Sequence, residues 1–432
     1  MPGTFTGMDD DLLDEATYDR VRTRDWLAGT DTQARGVGLS RRHLLRLAGA
    51  LGLAAALPAV NGVSAAADTT GPIVKPLPPD LFNVFGSNAE MRWEAMRGQG
   101  YLVPIDRFFV RDHTRTVLVD AASWRLKVFG TGLRGAPTID NAVEFSYQDL
   151  LDLPAESITA FVECAGNGRS FFGTQENQPA PGTPWRLGGV GVARWRGVRL
   201  GTVLRHAGLT DDAVDILPQG LDPDFVNAGV NLGPVRRPLP VRKALHDTLL
   251  AYQMNGQTLP PDHGFPVRLV VPGWVGISSI KWVGQIEVAD TPLVSPFNTV
   301  LYRLFGPTYP ADGTPITRQV VKSAFELPWN GTLASGQEHL LHGRSWSGNG
   351  PIRQVEVSTD GGRTWRCARP LGTTIERGWQ RWTISWRPET PGAYTLRARA
   401  TDVTNGTQPD AVPFNTGGYL FGAVADHPVT AT

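Results

Sequence analysis

A glycine or a proline stands at roughly one position in five of this chain, with 49 Gly and 34 Pro among 432 residues. Average proteins carry about 12% of the two together. Each one ends or bends regular structure, so long uninterrupted elements have little room. No Gly-x-y period is present, which excludes a collagen-like rod. The pattern expected is globular, rich in strands, loops and turns. Hydrophobic residues at 41% and charged residues at 19% support a packed core over disorder. The length leaves space for two or three domains. Basic and acidic residues number 41 each, for a net charge of zero. That argues against binding driven by a global basic field, and no nucleic-acid partner is expected. Cys164 and Cys367 are the only cysteines. They exclude a disulfide framework and the usual multi-cysteine metal spacings, and they read as independent thiols.

Residues 40–46 read Ser-Arg-Arg-His-Leu-Leu-Arg, followed by an apolar run over 47–60 and small residues up to Asp68. A twin arginine, a short apolar stretch and an A-x-A site form a three-part export signal. The apolar run is shorter than the about 20 residues a membrane span needs. Residues 40–67 are therefore expected to be a twin-arginine signal peptide, and the acid-rich segment 1–39 a disordered leader. The mature chain would begin near Asp68 and work outside the cytoplasm, in the periplasm or at the cell exterior.

The rest divides by texture. Residues 68–100 are rich in Pro and Asn and read as an extended lead-in. From there to about 312, short apolar runs alternate with turns and helical patches. Residues 124–129 (WRLKVF) and 267–272 (VRLVVP) read as strands, 146–153 as a helix capped by a hydroxyl, and 200–207 as a helix. Beyond 312 the alternation has period two. Val355, Val357 and Thr359 alternate with Glu356 and Ser358 before Asp360-Gly361-Gly362, which reads as a tight hairpin turn. Residues 379–386 and 394–400 are further strands. The fold class expected is α+β: a mixed α/β domain over 68–312, then an immunoglobulin-like β-sandwich over 313–432.

Three segments carry chemistry. In FVECAGNGRSFF, residues 161–172, a strand-like entry meets Cys164, then small residues, then Arg169. Small residues beside a thiol allow close approach of backbone and ligand, and a thiolate ligates soft transition metals. A lone cysteine is more often a buried structural residue, and the segment alone leaves both readings open. In RFFVRDHTR, residues 107–115, strand alternation would place Arg107, Phe109, Arg111 and His113 on one face suited to anions. The alternative is a solvated edge strand. Between 250 and 275, Asp262, His263 and Arg268 lie in a loop punctuated by Gly and Pro, as a binding loop or a plain one. His339 and His342 could pair on a metal only at helical spacing, so the strand context makes them incidental.

Together these segments resemble the sulfite oxidase family of molybdenum-cofactor enzymes. The resemblance runs through FFVRDH, ECAGNGR, PWRLGGVGVARWRGVRL, LAYQMNG, PPDHGFPVRLVVPGWVG, IKWVGQIEV, SWSGNG and VSTDGGRTW, over about residues 80–425. It implies a molybdopterin-binding oxidoreductase domain followed by a dimerisation domain, and a homodimer. By motif, Cys164 would be the protein ligand to molybdenum. Arg111 and Arg169 would line an oxyanion pocket with Tyr302. Phe109, Arg111, His113, Asp222, His263, Arg268, Ser279 and Lys281 would hold the pterin and its phosphate, and Trp185 would line the substrate pocket. A small sulfur-oxyanion or sulfane substrate would receive oxygen, and electrons would pass to an external acceptor such as a cytochrome c, with no haem in the chain itself. The sequence departs from the family's animal members in two places. Gly168 stands where they carry a first Arg after the Asn, and Thr416, Gly417 and Gly418 offer no Arg where a pocket Arg usually arrives from the C-terminal domain. The pocket should be less cationic. A sulfoxide or other oxide reductase on the same cofactor, and a cofactor-free exported binding protein, are the rival functions.

Overall fold

The computed structural model describes residues 71–432, and its α-helices there are all short, the longest being the seven residues of Leu200–His206. The expected leader at 1–39 and export signal at 40–67 lie outside the described residues. Among the described residues no helix is long and apolar enough to cross a membrane. Helix Tyr147–Asp152 shows how local chemistry bounds these elements. The Ser146 hydroxyl accepts from the Asp149 amide, and the Asp149 carboxylate accepts from the Ser146 amide. At the other end Leu153 is extended, as a residue before proline must be.

Two five-stranded sheets build the first domain. In one, Val283–Ala289 lies parallel to Arg125–Phe129 and antiparallel to Asp215–Gly220, with Leu239–Pro240 and Val143–Ser146 at the edges. In the other, Ala155–Glu163, Val190–Arg199 and Leu249–Met254 pair antiparallel, and Arg268–Val270 joins on Leu249–Met254. Ala155–Glu163 is half exposed at its start and wholly buried over its last four residues. Its end therefore emerges inside the protein, and Cys164 is the next residue. The lead-in at 82–91 is not merely extended. Phe82–Phe85 pairs with Asn88–Met91 across a two-residue turn in which Gly86 takes φ +62, and Val110–Arg111 adds a third strand.

The second domain is a β-sandwich. One sheet orders Lys322–Phe325, His339–Trp346, Trp379–Trp386 and Arg369–Leu371, and the other orders Gly331–Leu333, His427–Ala431, Gly392–Asp402, Ile352–Ser358 and Arg366–Cys367. Alternation places Val355 and Val357 inside with Leu341, Trp382 and Leu396. The connection after Ser358 is wider than the expected tight turn and runs over 359–365. Asp360 draws it open by accepting from the Ser358 hydroxyl at 2.7 Å and from the Thr364 amide at 2.9 Å. A ribbon of Arg303–Leu304 against Thr314–Pro315 straddles the texture break. The two domains also share a core, in which Trp346 and Trp379 of the sandwich pack with Trp93, Phe161 and Cys164. Trp93 and Trp346 stack at 5.8 Å. Full burial of a large apolar side chain is worth about 1.5–3 kcal/mol, so this seam binds the domains together.

Candidate active site

Cys164 begins a turn that its neighbours hold from several sides. Its amide donates to Gly189 O at 2.9 Å, and its carbonyl accepts from the Asn167 amide at 2.9 Å. Asn167 is fully buried; its Nδ2 donates to the Glu163 carboxylate at 2.9 Å and its Oδ1 accepts from the Gly189 amide at 2.9 Å. Gly168 then takes φ +96, and a Cβ there would lie 3.0 Å from Phe421. A residue with a side chain at 168 would be strained in its backbone and pressed against Phe421.

Beside Cys164 a cleft opens to solvent. Segments distant in sequence meet on its wall. Phe109, Arg111 and His113 come from the stretch after Ile105–Arg107, and Asp222 follows Asp215–Gly220. His263 and Arg268 flank a Gly-Phe-Pro turn, Ser279 and Lys281 precede Val283–Ala289, and Tyr302 precedes the ribbon.

Three expectations are corrected. Residues 107–113 are not one alternating strand: Ile105–Arg107 is a 3-10 turn and only Val110–Arg111 pairs. Arg107 therefore turns away, donating to Ala95 O at 2.7 Å and pairing with Asp106 at 3.1 Å, while Phe108 and Asp112 reach the cleft wall. Arg169 is not on that wall. Its Nε and Nη2 donate to Gly417 O at 3.1 and 2.9 Å, its Nη1 donates to Thr183 O at 3.0 Å, and its guanidinium lies over Tyr419 at 5.4 Å. Gly418 leaves room for this arrangement, since a Cβ there would fall 2.6 Å from Arg169 Cγ. Trp185 is also off the wall, 1% exposed, with ring contacts to Phe85 at 6.1 Å and Phe109 at 6.3 Å.

The cleft carries donors in excess. The Arg111 guanidinium makes no hydrogen bond or ion pair with any described residue, although its backbone pairs with Asn88. Burial works against its charge, but Tyr302, Cys164, Tyr419 and Asp112 outweigh that and hold it protonated. His113 Nε2 lies 2.9 Å from Tyr302 Oη. Burial, then the charges of Arg111 and Lys281, push His113 well below the usual imidazole range, so it is neutral at pH 7. Burial also raises the Tyr302 phenol above its ordinary value. Tyr302 takes φ +57, uncommon for a bulky residue, and Tyr419 stacks on it at 5.3 Å. His263 is 2% exposed and its Nε2 has no partner. Burial, with Lys75, Lys281 and Arg268 nearby, keeps it neutral as well.

Lys281 donates to the Asp112 carboxylate and, at 2.7 Å, to Asp262 O, which leaves one N–H of its ammonium uncommitted. Arg268 donates to His263 O and Ser279 O, each at 3.1 Å, and burial lowers it to about 10. Ser279 Oγ accepts from the Val271 amide at 3.1 Å and keeps its own hydrogen to donate. Asp222 is raised to about 7 by burial. A free guanidinium, an orphan imidazole nitrogen, a hydroxyl and a spare ammonium hydrogen on one wall suit a heteroaromatic ligand bearing anionic oxygens. Among the described residues no group of three or more His, Cys, Asp or Glu could hold a metal. The one thiol of Cys164 on the cleft wall fits a metal whose remaining ligands are supplied by a bound pterin dithiolate.

Several participants escape motif reasoning. Asp112 sits within the FVRDH stretch, and its position between two candidate residues is the only signal for it. The lead-in is one of them: Asp262, already marked by its loop, accepts from the amides of Val74 and Lys75, each at 2.8 Å, so that the proline-rich lead-in locks the His263 loop. Lys75 donates to Ile105 O and Phe108 O, and burial lowers it to about 7. Nothing in the pattern of that lead-in marks Lys75. Tyr419 follows the glycines where the C-terminal domain approaches the cleft.

Residues 113–297 match the family described as the oxidoreductase molybdopterin binding domain, and residues 315–423 match the Mo-co oxidoreductase dimerisation domain. Sulfite oxidase of Gallus gallus is 34% identical over 343 residues, covering 75% of this chain and 72% of the relative. Mitochondrial sulfite oxidase of Mus musculus is 33% identical over 331 residues, covering 73% of this chain; the match spans 58% of the mouse protein. NADH nitrate reductase of Ulva prolifera is 29% identical over 371 residues, covering 77% of this chain and 41% of the relative. Among solved structures, the sulfane dehydrogenase SoxCD from Paracoccus pantotrophus superposes with a TM-score of 0.66 at 24% identity, covering 97% of this chain and 96% of that one. That likeness concerns the fold.

Proposed function

Because the chain belongs to the sulfite oxidase family of molybdopterin-dependent oxidoreductases, we propose that it oxidises sulfite or a related sulfur oxyanion or sulfane at the Cys164 cleft. In that reaction the sulfur gains an oxygen originating from water, while two electrons and two protons leave. When bound, the molybdenum pterin supplies the oxygen-transfer and redox chemistry. Cys164 would hold the metal. His263, Lys281, Ser279, Arg268 and Asp222 would hold the pterin and its phosphate, with Phe109 and His113 beside them.

Arg111 would bind the oxyanion. Its guanidinium meets the substrate without first leaving a protein partner, and in a cleft of low dielectric its charge stabilises negative charge that grows on oxygen. Tyr302 and His113, both neutral at pH 7, would orient the anion without adding charge. Arg169, held by carbonyls of Gly417 and Thr183, would brace the Cys164 turn. Electrons would pass to an external acceptor such as a cytochrome c, the domain at 315–423 would join two copies, and residues 40–67 would direct export by the twin-arginine route.

The observation that carries this reading is the juxtaposition of Cys164 with an unpartnered, protonated Arg111 on one cleft wall. The test is metal analysis of the purified chain, then reduction of a dye or cytochrome c with sulfite. Stoichiometric molybdenum with sulfite-dependent reduction is the expected result. Molybdenum with turnover only from a reduced dye toward a sulfoxide or other oxide would reverse the direction. A folded chain unable to retain molybdenum would leave a cofactor-free binding protein.

A further inference from the structure

We propose that Lys322, a residue of the sandwich, is a positioning residue for Cys164, so that the C-terminal domain forms part of the thiol's support. The proposal rests on the reading of Cys164 as the metal's protein ligand.

Lys322 opens the first sandwich strand, Lys322–Phe325, yet its side chain leaves the sandwich and is 1% exposed at the far end. Its Nζ donates to Glu163 Oε1 at 2.7 Å and to Asn167 O at 2.7 Å. One ammonium thus ties the residue before Cys164 to the residue three after it, and clamps the turn that presents the sulfur.

Two more sandwich-side groups grip the same point. Trp346 Nε1 donates to Glu163 Oε2 at 2.9 Å, and Gln319 Nε2 donates to Glu163 O at 2.7 Å. With the Asn167 amide on Oε1, both oxygens of the buried carboxylate are satisfied.

A buried ion pair adds little net stability over apolar residues of similar volume. This one is built where a displacement would move the thiol. Partners that orient a ligand from outside the coordination sphere tune metal affinity about 10–100-fold.

The test uses the full-length, metal-loaded chain in wild-type form and as Lys322→Met and Glu163→Gln/Lys322→Met. Melting temperature, the visible thiolate-to-metal absorption band, and the rate of molybdenum loss on dialysis are read for each. Lys322→Met strands the Glu163 carboxylate and should lower the melting temperature. The double variant removes both charges and should melt close to wild type. The proposal predicts that the double variant still shows a shifted band and loses molybdenum at least about 10-fold faster.

A double variant with wild-type melting, band and metal retention would overturn the proposal and leave the pair a structural contact. Should neither variant fold, Glu163→Gln keeps the volume and weakens the same grip, and an unmoved band there overturns the proposal equally. Wild-type protein without molybdenum would overturn the reading of Cys164 and this proposal with it. Wild-type metal content with unmoved variants overturns this proposal alone.

Discussion

Arg344 in the sandwich is fully buried and Arg111 on the cleft wall is partly exposed, and their guanidinium groups are treated in opposite ways. Arg344 donates to the Glu326 carboxylate at 2.7 Å and to Gly100 O and Tyr101 O at 3.0 Å each. The Arg111 guanidinium meets no carboxylate and no carbonyl among the described residues. In the sandwich the buried guanidinium is matched within the chain; in the cleft Lys281 is matched by Asp112, while the Arg111 guanidinium is left for an anion to match.

The largest expected effect tests the cleft at its centre. Cys164→Ser should lower sulfite turnover by more than the about 100-fold that loss of an outer-sphere partner costs, with circular dichroism and melting unchanged. Turnover within tenfold of wild type would remove the thiol from the metal.

The next probes the paired side of the contrast. Arg344→Met should cost about 3–5 kcal/mol in denaturant unfolding, because it strands Glu326 in the interior. Arg111→Met should cost no stability, having no pair to break. A reversal of that order would dissolve the distinction between the two regions.

The two arginines near Cys164 sharpen it further. Arg111→Met should raise KM for sulfite about 10–100-fold, the equivalent of a charged hydrogen bond worth about 1.5–3 kcal/mol. Arg169→Met should leave KM closer to wild type and lower stability by about 1–3 kcal/mol, because Gly417 O and Thr183 O lose their donor. Equal KM effects would return Arg169 to the anion pocket.

The smallest effect is a pH dependence outside the cleft. Burial raises Glu90 from the usual 4.5 to about 7, with hydrogen bonds from Asn83 and the Arg186 amide opposing it. The folded state therefore holds a proton that the unfolded chain releases near pH 4.5, and stability falls as pH rises from there to about 7, then levels. Melting of Glu90→Gln relative to wild type should improve across that window and stay flat above it. A difference independent of pH would contradict the shift.

Much of this architecture is legible in the residues themselves. The period-two alternation of Val355 and Val357 marks the sandwich because one face of each strand is buried. The hydroxyl at Ser146 and the ring of Pro154 bound a helix by capping and by proline sterics. ECAGNGR, FFVRDH and PPDHGF bring Cys164, Arg111, His113, His263 and their companions to the cleft through resemblance. Spacing alone places Phe109, Arg111 and His113 together correctly but adds Arg107 and misses Phe108 and Asp112, which reach the wall because the chain there is irregular and no strand parity applies. Arg169 is illegible for another reason. What holds it is a pair of backbone carbonyls, Gly417 and Thr183, and a carbonyl leaves no trace in the identity of a residue. Lys75 and Tyr419 act across long sequence separations, where only the folded chain makes neighbours.

The bond between Cys164 and molybdenum can be examined directly by X-ray absorption at the molybdenum edge on the loaded wild-type chain and on Cys164→Ser. With Cys164 as the ligand, the serine variant loses one sulfur scatterer from the metal's inner shell while the remaining sulfurs stay. The same sulfur count in both proteins would contradict that assignment.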